Sequence, residues 1–335
     1  MAKEKLAIDF DSAITNIYKL GSGLVLSEPT VAATNDDAKC EVKAIGIDAN
    51  KLIGKTAKNT KIVFPVYEGE IVNERVATGL LRGFLNKIEA KTGVFSGATA
   101  VFAVPCGVTA DIIEKFRNVA ISCGIRKSYF VEAPVLSALG QRIPLTDSSP
   151  SFIIDMAGGT TNIAAVSLDG IITGVSVNFG YNKISTDIID YVSDSYGLQI
   201  GLLTADRLRK EIASLEDGDM LSLTVNGRNV NSGKPMSAIV SAAKIAEPVK
   251  AYYDKISEIA IEVLKKLPPE VSAEIRRAGI YVSGGGSTVY GLEGYYADKF
   301  GMNVNIAEHG LMSVALGGGV LLGNSDLLKK LAVEC

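Results

Sequence analysis

Hydrophobic and polar positions switch between two periods along the chain. Residues 6–10 form an apolar run that Asp9 interrupts, and residues 101–104 form another; both predict strands. After the second run, Ile112, Ile113, Phe116, Val119 and Ala120 recur at helical spacing, which predicts a helix over 109–123. Residues 151–155 and 279–283 are short apolar runs, the second opened by a glycine and both followed by glycine clusters, which predicts buried strands. Strands alternating with helices predict an α/β architecture. Residues 237–267 carry a long helical pattern with Pro248 inside it. A proline there predicts two helices, the first ending near Glu247, and Leu267-Pro268-Pro269-Glu270 stops the second. Residues 221–225 alternate before Asn226-Gly227, predicting a hairpin turn in a small subdomain inserted in the second half.

An internal repeat carries the most information. Ile8-Asp9-Phe10-Asp11-Ser12-Ala13-Ile14-Thr15-Asn16-Ile17 aligns without gaps on Ile154-Asp155-Met156-Ala157-Gly158-Gly159-Thr160-Thr161-Asn162-Ile163. Each copy reads as a strand, a tight turn and a second strand, with an acidic residue at the strand end. Two such hairpins facing one another would grip a polyphosphate and its metal from both sides.

Composition narrows the chemistry. The chain has 34 glycines in 335 residues but only 10 prolines, so the glycine surplus is not that of a disordered Pro/Gly mixture. Dense clusters at Gly158-Gly159, Gly284-Gly285-Gly286 and Gly317-Gly318-Gly319 adjoin apolar runs, where backbone can approach a phosphate. The length predicts two domains. A net charge of −3 argues against a nucleic-acid binder. A single histidine, His309, and four scattered cysteines leave little for a zinc site or a histidine-based triad. With no secretory or membrane-spanning apolar stretch, a soluble intracellular protein is expected.

With these loops in view, the chain resembles the MreB branch of the actin/heat-shock-chaperone ATPase superfamily. Residues 23–31, 104–109, 154–162, 268–275 and 284–286, and the closing 311–319, carry the resemblance over nearly the whole length. It implies an actin-like ATPase fold: two duplicated ribonuclease-H-like α/β domains, with subdomains IA, IB, IIA and IIB, around a nucleotide cleft. Domain I would span 1–145, with IB inserted at about 33–65 and 312–335 returning to IA. Domain II would span 146–311, with IIB inserted at about 181–244.

The resemblance also implies ATP or ADP with Mg²⁺ in the cleft. Ser12, Ala13, Ile14 and Thr15 would hold phosphates from domain I, and Gly158, Gly159 and Thr160 from domain II. Asp9 and Asp155 would orient Mg²⁺ through waters. Gly284, Gly285, Gly286 and Ser287 would face the adenosine, as would Asp206, Arg209 and Lys210 on the neighbouring helix. Thr160 and Thr161 match the family's hydrolysis-linked threonines.

Three departures bear on catalysis. Asp11 stands where the family has a glycine, bringing a carboxylate close to the triphosphate unless it turns away or engages the metal. Ala133 stands where the family has the glutamate that positions the attacking water. Glu132 is one residue earlier, about 100° away around a helix. Ala157 replaces a further glycine. ATP binding with slow or absent hydrolysis is therefore expected.

As partners, the resemblance implies self-assembly into double protofilaments, the inner membrane surface and cell-shape membrane proteins, and no nucleic acid. Val94 and Phe95 fall where a membrane-binding hydrophobic loop is expected, making the protein peripheral at the inner face of the cell membrane. The competing reading is a non-polymerising ATP-binding adaptor or pseudo-ATPase that scaffolds a membrane complex.

Overall fold

The computed structural model describes residues 4–37, 39–93, 97–145 and 149–333. Two five-stranded sheets dominate it and share one topology. In the first, Lys5–Phe10 pairs antiparallel with Ile14–Lys19 and parallel with Thr99–Val104; Gly23–Pro29 and Lys127–Glu132 form the edges. In the second, Ser151–Met156 pairs antiparallel with Thr161–Ser167 and parallel with Ile280–Ser283; Gly170–Val177 and Val304–Ile306 form the edges.

The repeated sequence produces the repeated geometry. Asp9 faces Asn16 and Ile8 faces Ile17 in the first hairpin; Asp155 faces Asn162 and Ile154 faces Ile163 in the second. The strand Ser151–Met156 is buried along its whole length. Phe152, Ile154 and Met156 point into a core cluster on the second sheet, while Ile153 joins a middle cluster with Ala7, Val101, Leu136 and Val314. A strand buried on both faces has no reason to alternate with polar residues, which accounts for its unbroken apolar run. The middle cluster welds the two sheets together and sets their hairpins face to face.

Two three-stranded sheets are inserted. One joins Ala32–Asn35 to Val42–Ile45 and Thr60–Val63, and the other joins Leu198–Gln199, Ser222–Asn229 and Pro235–Ser241. The helix predicted over 109–123 runs Ala110–Ser122 and buries Ile113, Phe116, Val119 and Ala120.

Three local expectations are overturned. Pro248 does not divide the long helix, which runs unbroken from Ala242 to Lys265. Proline costs about 3 kcal/mol in a helix interior. Ile245, Val249, Tyr252, Tyr253 and Ile256 are buried on both sides of it, and a few such side chains offset that cost at roughly 1.5–3 kcal/mol each. The start of the predicted helix, 237–241, is instead strand.

Asn226-Gly227 is likewise strand interior rather than a turn. The glycine is there for closeness: a Cβ on Gly227 would strike the carbonyl of Gln199 on the adjoining strand. The third glycine cluster is not a loop either. Gly317, Gly318 and Gly319 lie in the helix Ser313–Gly323, where added Cβ atoms would strike the Leu136 carbonyl, Ala7 and Tyr18. These glycines let that helix press against the helix Ala133–Gly140 and the first sheet.

Candidate functional site at the facing hairpins

The tips of the two hairpins meet directly. Asp11 Oδ2 accepts from the backbone N–H of Gly158 at 2.8 Å and from that of Ala13 at 3.2 Å. A Cβ on Gly158 would meet Asp11 Oδ2 at 2.7 Å and the Ala13 amide nitrogen at 2.8 Å, so this approach requires glycine. Burial pushes the Asp11 carboxyl up, and the amides of Gly158, Ser12, Ala13 and Gly159 pull it back.

Behind the tips lie the two strand-end acids. Asn16 Nδ2 donates to Asp9 at 3.3 Å and to the Leu311 carbonyl at 2.9 Å. Asn162 Nδ2 donates to Asp155 at 3.5 Å while its Oδ1 accepts from the Cys106 amide at 3.0 Å, tying the second hairpin to the loop after Thr99–Val104 of the first sheet. Ser283 Oγ donates to Asp155 at 2.8 Å and pairs with Ser137 Oγ at 2.6 Å.

Burial, then Asp11 and Asp155, hold the Asp9 carboxyl well above the ordinary carboxylate range. Asp155 is pushed up to about 6, mainly by burial, with Ser283 pulling it back and Asp11 raising it. Carboxyls that repel one another in a buried space are stabilised by a cation placed among them. Asn16 Oδ1 is buried there without a partner. Among the described residues no group of three or more His, Cys, Asp or Glu is arranged to hold a metal.

A cavity of about 50 Å³ lies between the hairpins. Of the predicted site residues, Asp9, Ile14, Asp155, Thr160, Gly284 and Gly285 line it, together with Asp11 and Ala133. Ser12 and Thr15 are buried beside it, with Thr15 Oγ1 paired to Thr30 at 2.8 Å. Thr161 is placed differently from Thr160: its hydroxyl turns into the second core, donating to the Phe179 carbonyl at 2.7 Å and pairing with Tyr252 at 3.1 Å. Glu132 lies outside the cavity lining and accepts from the Gly107 amide at 2.6 Å.

At the far end, Tyr253 donates to the Gly286 carbonyl at 2.7 Å and Ser287 to that of Gly284 at 2.8 Å. Ser185 Oγ donates to Asp206 at 2.6 Å and accepts from Arg209 Nε at 3.2 Å. Lys210 points to solvent. Val94 and Phe95 lie outside the described residues.

Sequence reasoning missed Tyr181. Its ring presses on Gly285, where an added Cβ would strike it, and the Arg209 guanidinium lies 4.6 Å from the ring centroid. It reaches the cavity from the loop after Gly170–Val177, a proximity that only tertiary folding creates. Asn16 and Asn162 also escaped selection, although they stand at matching positions of the repeat.

Two sheets of one topology, each ending in a hairpin with a strand-end carboxylate toward a shared cleft, define an actin-like ATPase fold. Crystal structures of MreB5 of Spiroplasma citri share it: the one bound to ADP has a TM-score of 0.90 and the one bound to AMPPNP 0.89, both at 29% identity over 98% of each chain. The MamK double helical filament, at 20% identity, matches in fold with a TM-score of 0.81 over 96% of this chain and 99% of that one. A sequence model of the MreB/Mbl protein family matches residues 3–330. The cell shape-determining protein MreB of Escherichia coli strain K12 is 31% identical over 331 residues, covering 98% of this chain and 95% of its own. The cell shape-determining protein Mbl of Bacillus subtilis strain 168 is 30% identical over 98% of this chain and 99% of its own. The chain belongs to the MreB/Mbl family.

Proposed function

We propose that this chain is a nucleotide-binding, filament-forming bacterial actin that acts in cell-shape determination and hydrolyses ATP slowly. The observation that carries this reading is the pair of register-matched hairpins whose tips face each other across one cleft. Backbone amides of Ser12, Ala13, Gly158 and Gly159 converge there, the chemistry that receives a phosphate. Crystal structures of a relative at 29% identity hold ADP and AMPPNP.

Mg²⁺ fits the donor set. Two buried carboxyls at strand ends, with water and phosphate completing the shell, suit an ion that keeps much of its hydration. Asp9 and Asp155 would hold it, and it would neutralise phosphate charge when bound. The domain division, with the cleft between residues 1–145 and 146–311, belongs to the same reading; the inserted sheets at Ala32–Asn35 to Thr60–Val63 and Leu198–Gln199 to Pro235–Ser241 support it.

Slow hydrolysis follows from what lines the cavity. Ala133 has no group to orient water, and Glu132 is occupied by the Gly107 amide. Losing a positioned general base or acid costs roughly 10²–10⁴ in rate. Among the described residues no helix is long and apolar enough to cross a membrane, and peripheral attachment through Val94 and Phe95 is part of the proposal.

Electron microscopy with ATP and Mg²⁺, paired with phosphate release, tests the whole. Ordered filaments with release at least ~10²-fold below a family member carrying the water-positioning glutamate are expected. Persistent monomers at high concentration, or an equal rate, would refute it. Lipid co-sedimentation of Val94→Ser/Phe95→Ser against the parent tests the membrane clause; equal pelleting removes the loop.

A further inference from the structure

The acid at the first hairpin's tip is held by the opposite domain. Gly158, 147 positions away along the chain, donates its amide to Asp11 Oδ2 at 2.8 Å, a shorter bond than the local one from Ala13 at 3.2 Å. A turn-capping role explains the Ala13 contact alone. It does not explain why the second hairpin's glycine delivers its amide to the same oxygen.

Backbone amides at the tips of glycine-rich turns form an anion-binding concavity, and a carboxylate is an oxyanion acceptor like a phosphate. We propose that Asp11 is a built-in occupant of the phosphate cradle, standing where both hairpins would grip the distal phosphates of a nucleotide, so that ATP enters only by displacing it. This rests on reading the cleft as a nucleotide site.

The space supports the assignment. With Asp11 in place, the hairpins approach to hydrogen-bonding distance and leave a cavity of about 50 Å³. Pockets that take small molecules run to roughly 300–1,000 Å³. Tyr181 closes the other end, its ring on Gly285 and beneath Arg209. The carboxylate thus joins the two domains with the same amides that would otherwise join them through a nucleotide.

Asp11 is therefore an affinity- and specificity-determining residue. It discriminates against nucleotides by their distal phosphates rather than by their base. Displacing a charge-assisted hydrogen bond to a buried carboxylate corresponds to roughly 10- to 100-fold in affinity.

The test titrates the full chain, with Mg²⁺, against fluorescently labelled ATP and AMP, for the parent, Asp11→Gly and Asp11→Asn. It also follows amide hydrogen exchange without nucleotide in the peptide containing Gly158 and Gly159. Asp11→Asn keeps an oxygen acceptor and guards against a folding defect in Asp11→Gly. The expected result is ATP binding roughly 10- to 100-fold tighter in Asp11→Gly, an intermediate gain in Asp11→Asn, and AMP within about twofold in all three. Exchange at Gly158 and Gly159 should be faster in Asp11→Gly than in the parent.

Unchanged exchange overturns the proposal whatever the affinities do. Equal ATP affinity in parent and Asp11→Gly overturns it too, as does an equal gain for AMP. If no variant binds ATP but exchange accelerates only on loss of Asp11, the carboxylate stands as the cradle's occupant and the nucleotide reading falls instead.

Discussion

The two hairpins share register, strand-end acid and asparagine partner, yet their tips differ in one decisive respect. The second ends in Ala157-Gly158-Gly159 and offers backbone amides; the first ends in Asp11-Ser12-Ala13 and supplies an acid that accepts from Gly158 at 2.8 Å. The comparison teaches that duplication preserves a scaffold while a single position in the loop decides what the scaffold holds. The hydroxyls behind the tips differ as well. Thr15 has one partner, Thr30, whereas Thr161 is shared between the Phe179 carbonyl and Tyr252.

The largest effect should come from forcing the tips apart. Gly158→Val places carbon against Ala13 and Asp11 and is expected to cost about 3 kcal/mol, read as a fall in melting temperature. Ser12→Ala, at the matching position of the first hairpin, removes a hydroxyl without a partner and should cost under about 0.5 kcal/mol. Similar losses in both would dissolve the asymmetry.

A pH dependence should come next, and both strand-end acids contribute to it, because burial raises Asp9 as well as Asp155. Asp155 sits at about 6 against an ordinary 3.8, mainly through burial. Between those values the folded chain keeps a proton that the unfolded chain has released. Asp155 alone therefore lowers nucleotide-free stability as pH rises from about 4 to about 6, by up to roughly 3 kcal/mol. Asp155→Asn should make that part of a melting-temperature profile shallower, leaving the contribution of Asp9; an unchanged slope would show that Asp155 does not contribute to it.

The hydroxyl pairs behind the tips come last. Thr30→Val strands the buried Thr15 hydroxyl and should cost roughly 1–3 kcal/mol. Tyr252→Phe leaves Thr161 its Phe179 partner and should cost roughly 0.5–1.5 kcal/mol. Chemical denaturation ranks the two, and the reverse order would contradict the partner assignment.

Much of this site was legible because it is written locally. Strand, acid, tight turn and asparagine are consecutive in each copy, so the repeat exposes both hairpins without knowledge of the fold. Pro248 and Asn226-Gly227 misled because their local preferences were outweighed by distant contacts, the second core in one case and the Gln199 carbonyl in the other. Gly317, Gly318 and Gly319 misled for a related reason: glycine for close packing and glycine for a loop look alike in sequence. The destination of Asp11 was the least legible of all. Its charge and place were evident, but its partner is the amide of Gly158 in the other hairpin, 147 positions away.

A structure of the chain with AMPPNP and Mg²⁺ tests the central claim most directly. The account predicts the phosphates between the hairpins, accepting the amides of Gly158 and Gly159, with the Asp11 side chain swung out of the cradle. A nucleotide bound with Asp11 still accepting from Gly158, or bound away from the hairpins, would contradict it.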